Sequence, residues 1–151
     1  MKPSARTLFI AAISLALFAI ALAQTVTGAW KGKASIDTSK LPKMEGVDQK
    51  KMVDEIRSML GKMTINLDLK ANKNYAIKVT GLPNNTKDQT SEGTWKQSGK
   101  TITLTPTKEN GKKPTGESAK PQNLTVSADG KKMTMPLPGG AMFGGVVTFT
   151  R

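Results

Sequence analysis

The chain contains no cysteine and no histidine. These residues supply most thiolate nucleophiles, most general bases that work near neutral pH, and most zinc and iron ligands. Their absence excludes disulfide bonds, the usual zinc sites and any catalytic triad that depends on histidine. The 11 acidic residues could still form a catalytic carboxylate pair, but the sequence places them at scattered outward-facing and loop positions. We therefore expect a protein that is not an enzyme and has neither a metal nor another cofactor.

Long apolar runs are scarce, and the one that exists lies at the N-terminus. Residues 8–20 are apolar, follow two basic residues and precede Ala21-Leu22-Ala23, which is the order of a secretory signal peptide. The run is shorter than the roughly 20 residues that a membrane-spanning helix needs. We therefore expect a signal peptide over residues 1–23, one mature domain over residues 24–151 without a transmembrane segment, and a periplasmic or extracellular location.

Acidic residues are few compared with basic ones. The whole chain has 23 Lys and Arg against 11 Asp and Glu, and loss of Lys2 and Arg6 with the signal peptide leaves a net charge of about +10. Lysine dominates, whereas specific nucleic-acid binding relies on arginine and exposed aromatic residues. We expect no specific nucleic-acid partner and a weak attraction to anionic envelope surfaces. The densest basic patch in the sequence contains Lys108, Lys112, Lys113 and Lys120.

Apolar residues recur at every second position along most of the mature chain, which is the period of a β-strand. Eight short segments have this pattern, and turns are predicted at Asn72-Lys73, Ser98-Gly99 and Asp129-Gly130. Sequential strands with one apolar face favour a sheet that closes on itself and leaves no unpaired edge. The predicted fold is all-β, an eight-stranded antiparallel up-and-down barrel with one helix between the first and second strands.

That helix is predicted from a stripe of apolar residues at helical spacing. The stripe contains Met52, Val53, Ile56, Met59 and Leu60. Asp48 is the expected N-terminal cap and Gly61 the expected C-terminal cap. Because an apolar stripe must be buried, we expect the helix to lie across an open end of the barrel.

The Gly28-Ala29-Trp30 triplet, the eight-strand order and the closing Phe149-Thr150-Arg151 resemble lipocalin-like proteins of the calycin superfamily, notably small secreted bacterial ones. Gly93-Thr94-Trp95 adds to the resemblance. In lipocalins the tryptophan of the first strand packs against an arginine from near the end of the barrel. The resemblance therefore implies a structural cation–π contact between Trp30 and Arg151. The helix position is similar to that of the lid in intracellular fatty-acid-binding proteins.

Two functional interpretations remain open from the sequence. In the first, a monomeric barrel binds a small hydrophobic molecule, with the helix and the glycine-rich loop at 138–145 as a lid. In the second, side chains fill the interior, and the basic exterior makes the protein an envelope-associated structural or interaction module. The pair Met133 and Met135 also has the spacing of a copper(I) site, but without histidine or cysteine it is better explained as barrel interior. The candidate ligand-binding residues are Met52, Ile56, Met59, Tyr75, Ile77, Trp95, Met133, Met135 and Phe143.

Overall fold

A computed structural model describes residues 26–41, 45–46, 48–83, 86–137 and 144–151. The predicted signal peptide and Phe143 lie outside the described residues. A helix α1 (Gln49–Lys62) lies between the first two strands, and two short 3-10 helices cover Thr38–Lys40 and Gly116–Ala119. The strands are β1 (Gly28–Ser35), β2 (Thr64–Leu69), β3 (Asn74–Thr80), β4 (Gln89–Ser98), β5 (Thr101–Glu109), β6 (Gln122–Val126), β7 (Lys132–Pro136) and β8 (Val146–Thr150).

The strands form one closed antiparallel barrel in sequence order, with β8 paired to β1. The predicted fold class is confirmed. Trp30 pairs with Leu67 across β1 and β2, and Gly32 pairs with Phe149 across β1 and β8. Because every second residue of a strand faces inward, this register places the apolar faces of all eight strands inside. No helix among the described residues is long and apolar enough to cross a membrane.

The up-and-down order gives the barrel two different ends. The closed end comprises the connections 70–73, 99–100 and 127–131, the residues just before β1 and the residue after β8. It also includes the strand residue next to each of these segments. The open end comprises the connections 36–63, 81–88, 110–121 and 137–145 with their bordering strand residues. Short turns join the strands at the closed end, whereas longer segments, including α1, join them at the open end.

The apolar core fills the closed half of the barrel and extends to Val147 at the wall of the other half. Its most deeply buried side chains are Val26, Trp30, Leu67, Leu69, Ile102, Leu104, Leu124, Met133, Val147 and Phe149. Each large apolar side chain buried in this way contributes about 1.5–3 kcal/mol. Two inward glycines leave no empty space beside them, because a Cβ atom on Gly32 would lie 2.7 Å from Cε1 of Phe149 and one on Gly93 would lie 2.1 Å from the carbonyl oxygen of Thr105. Glycine is required at Gly93 for this close backbone approach.

The helix starts as predicted but ends differently. The Asp48 carboxylate accepts a hydrogen bond of 3.1 Å from the Lys51 amide and caps the N-terminus. The prediction that Gly61 caps the C-terminus is wrong, because the helix continues to Lys62 and ends at Met63 in an extended conformation. The chain enters β2 directly from Met63, so no left-handed glycine is needed.

The turn between β4 and β5 lies one residue later than predicted. Ser98 pairs with Thr101, so the two residues of the turn are Gly99 and Lys100 rather than Ser98 and Gly99. Gly99 has a φ of 58°, a left-handed conformation that a tight hairpin turn requires and that glycine adopts without strain.

Candidate functional site

Two tryptophans seal the closed end. Trp30 is 1% exposed and Trp95 is 3% exposed. The indole N–H of Trp30 donates to the carbonyl oxygen of Val26 at 2.9 Å, and that of Trp95 donates to the carbonyl oxygen of Lys70 at 3.0 Å. Both buried polar groups therefore have partners, and each bond ties a tryptophan to the chain that crosses the closed end.

A cation covers each of these rings. The Cζ atom of Arg151 lies 4.3 Å from the centroid of Trp30, and the Nζ atom of Lys73 lies 4.0 Å from that of Trp95. Arg151 also donates a 2.7 Å hydrogen bond to the carbonyl oxygen of Thr27. The Lys73–Trp95 contact was not predicted, although the repeat of the G-x-W pattern in Gly93-Thr94-Trp95 was the available signal. The closed end is thus fastened by two similar structural contacts.

A cavity of about 260 Å³ opens at the other end of the barrel. Its wall combines apolar side chains of several strands and their connections with a smaller number of polar ones. The lining residues are Met63, Ile65, Ile77, Val79, Leu82, Gln89, Thr90, Ser91, Glu109, Ser118, Gln122, Met135, Leu137 and Val147. Apolar walls with a few polar groups are typical of sites for small apolar ligands.

The polar groups of the cavity wall are mostly uncharged. Ser91 shares a 3.2 Å hydrogen bond with the hydroxyl of Tyr75, whose side chain is buried. Burial raises the pKa of Tyr75 above its ordinary value, and the bond to Ser91 partly opposes that increase. Among the described residues that line the cavity, Glu109 is the charged one, and none is a lysine or arginine. The cavity is therefore slightly acidic inside a strongly basic protein.

Glu109 faces the cavity because of an irregularity in the sheet. Gly93 pairs with Pro106 but Glu92 pairs with Lys108, so β5 contains one extra residue at this point. An extra residue reverses the alternation of the side chains beyond it. The sequence pattern placed Glu109 at an outward or loop position, and this bulge is the reason that the expectation was wrong.

The predicted ligand-binding residues that the structure describes fall into three groups, which lie at the cavity, in the packed core and on α1. Ile77 and Met135 line the open-end cavity, and Tyr75 reaches one of its wall residues, Ser91. Trp95 and Met133 belong to the packed core.

The predicted lid residues on α1 lie away from the cavity wall. The helix α1 lies against β1, and none of its residues is buried. Met52, Ile56 and Met59 do not line the cavity, and Met59 is 36% exposed. The ligand-binding role predicted for these three residues, and for Phe143 outside the described residues, stays a prediction.

A second concave surface, of about 540 Å³, lies on the outer wall of strands β1 to β4. Its outward side chains mix both charges with small residues and include Lys31, Asp68, Ala76, Lys78 and Glu92. It extends to Thr150 and Arg151. Because this surface lies outside the barrel among charged side chains of both signs, whereas the open-end cavity enters the barrel between mostly uncharged side chains, the open-end cavity is the better candidate for a small apolar ligand.

Comparison with known proteins connects part of the barrel to one family. No curated protein matches the chain. The family model described as the NlpE N-terminal domain matches residues 61–135, from the end of α1 into β7. This family comprises envelope proteins that are not enzymes. The matched region contains Gly93-Thr94-Trp95 and most of the cavity wall. Just under half of the chain is therefore similar to the NlpE N-terminal domain.

Proposed function

We propose that the protein is a lipocalin-like barrel of the cell envelope, without enzymatic activity, that binds a small and mostly neutral apolar molecule in the open-end cavity. The observation that carries this proposal is the contrast between a sealed closed end and an apolar cavity of about 260 Å³ at the open end. A cavity of this size suits a small apolar ligand.

The charge of the cavity wall favours a neutral ligand. An anionic headgroup would need a basic partner inside the barrel, and none of the described lining residues provides one. The Glu109 carboxylate would repel such a headgroup. A neutral molecule could instead use the Ser91 hydroxyl or the Gln122 amide, which both line the cavity.

An envelope location is supported by two independent observations. The family match over residues 61–135 connects the barrel to envelope proteins. The first 23 residues have the order of a secretory signal peptide. The finer assignment to lipocalin-like proteins is supported by Gly28-Ala29-Trp30 and by the Arg151 side chain over Trp30.

The experiment is a titration with N-phenyl-1-naphthylamine, an uncharged apolar fluorophore, because an anionic dye would bind the basic surface. We expect saturable binding to the wild-type protein that changes little with salt. Val79→Trp places a larger side chain in the cavity and should weaken binding at least about tenfold. Val146→Trp is the matched control, since it makes the same change at a strand residue outside the cavity wall.

The second interpretation, a filled barrel that acts through its surface, predicts the opposite result. The fluorophore would not bind the wild-type protein, and native and denatured mass spectra would give the same mass. Urea unfolding of both variants ensures that a loss of binding by Val79→Trp reflects a filled cavity and not an unfolded chain.

A further inference from the structure

The two ends of the barrel carry very different charge. The closed end has six basic side chains and one acidic side chain, Asp129. The described residues of the open end, with its bordering strand residues, have nine basic and eight acidic side chains. The six closed-end cations are Lys70, Lys73, Lys100, Lys131, Lys132 and Arg151. Most of the excess positive charge outside the barrel walls therefore lies at the closed end.

The closed-end cations are exposed, and none of them forms a salt bridge among the described residues. All six residues are solvent-exposed. The three salt bridges among the described residues, Lys40–Asp37, Lys78–Asp88 and Lys120–Glu117, all use an acid of the open end. The positive charge of the closed end is thus available to an external partner, whereas part of the charge at the open end is neutralised locally.

Asp129, the acidic residue of the closed end, forms its hydrogen bonds within its own turn. The Asp129 carboxylate accepts hydrogen bonds from the Ser127 hydroxyl and from the Lys131 amide. These bonds lower the pKa of Asp129, chiefly through Ser127. Asp129 therefore organises the β6–β7 turn, which presents Lys131 and Lys132.

The cations are also spread over a broad surface. They come from three separate turns and from the residue after β8, and the buried tryptophans hold two of these segments in place through Lys70 and Arg151. A surface with exposed cations from several separate segments fits an extended layer of negative charge better than a single small anion.

We propose that the closed end is a docking face for an anionic lipid bilayer, which leaves the open-end cavity directed away from the membrane. Each lysine or arginine near an anionic lipid surface strengthens binding about fivefold, so six such residues give measurable and salt-sensitive attachment. The attachment does not require the cavity to hold a ligand, so this proposal is independent of the proposed function.

The test is cosedimentation of the protein with vesicles of phosphatidylcholine, with and without about one-third phosphatidylglycerol. We expect binding to the anionic vesicles only, and its loss as salt rises towards 1 M, where the screening length is about 3 Å. Replacing Lys70, Lys100 and Lys131 by Gln should weaken binding about a hundredfold. The matched control replaces Lys51, Lys87 and Lys113 of the open end by Gln, which changes net charge equally and should weaken binding less than about threefold.

Orientation is tested with a single fluorescent label, which the lack of native cysteine makes straightforward. Ala128→Cys places the label in the β6–β7 turn, and Ser58→Cys places it on α1. On anionic vesicles, we expect the first label to be protected from the neutral quencher acrylamide and the second to remain exposed. The proposal would be overturned if the two triple variants lost binding equally or if the α1 label were protected. It would also be overturned by equal binding to neutral vesicles, or by binding to other polyanions without binding to vesicles.

Discussion

The closed and open ends of this barrel are built from the same alternating strands but differ in packing, charge and connections. At the closed end, short turns, two buried tryptophans and two stacked cations close the barrel. At the open end, longer connections surround a cavity of about 260 Å³. Strand alternation is therefore enough to form the barrel, whereas the side chains at each end decide whether that end is filled.

The largest expected effect comes from opening the closed end. Trp30→Ala removes a side chain that is 1% exposed, together with the ring under Arg151 and the donor to the carbonyl oxygen of Val26. We expect a loss of about 3–5 kcal/mol in the free energy of unfolding, measured by urea denaturation. An unchanged unfolding midpoint would contradict the assigned role of Trp30 in sealing the barrel.

A matched pair of methionines compares the two ends directly. Met133 and Met135 both face inward from β7 and belong to the core, but Met133 is fully buried whereas Met135 also lines the cavity. Met133→Ala should cost about 2–5 kcal/mol, because it creates a void among packed side chains. Met135→Ala should cost at least about 1 kcal/mol less, because it enlarges an existing opening. Equal losses in urea unfolding would indicate that both ends are packed alike.

The smallest expected effects concern the two stacked cations. Arg151→Ala removes both a cation–π contact and a hydrogen bond to Thr27, so we expect a loss of about 1–2 kcal/mol. Lys73→Ala removes an exposed cation–π contact with Trp95, and we expect about 0.5–1 kcal/mol. Thermal unfolding of both variants checks this order, and a larger effect for Lys73 would mean that the two contacts are not equivalent.

Much of the fold could be predicted because the period of two is clear in the sequence. Trp30, Phe149 and their neighbours alternate with polar residues, and this pattern fixes both the strands and their inward faces. The place of α1 between β1 and β2 was predicted correctly, but the surface that it contacts was not, since an apolar stripe indicates burial without identifying the partner surface. The helix lies against β1 with its side chains only partly buried.

The candidate site was less predictable than the fold. Ile77 and Met135 were expected among the ligand-binding residues and do line the cavity. The pattern could not separate them from Trp95 and Met133, because inward position does not tell how far a residue lies from an open end. The inward direction of the Glu109 side chain was not predicted, because a single extra residue in β5 reverses it. A bulge of this kind leaves no clear signal in one sequence.

The most direct test of the contrast between the two ends is a titration followed by amide hydrogen–nitrogen correlation spectra of the isotopically labelled protein. N-phenyl-1-naphthylamine is the titrant. If the open end holds the binding site, chemical shift changes should be concentrated at cavity residues such as Val79, Leu137 and Val147, while Trp30, Trp95 and the closed-end turns stay unchanged. Changes centred on the closed end, or no saturable changes at all, would contradict the account.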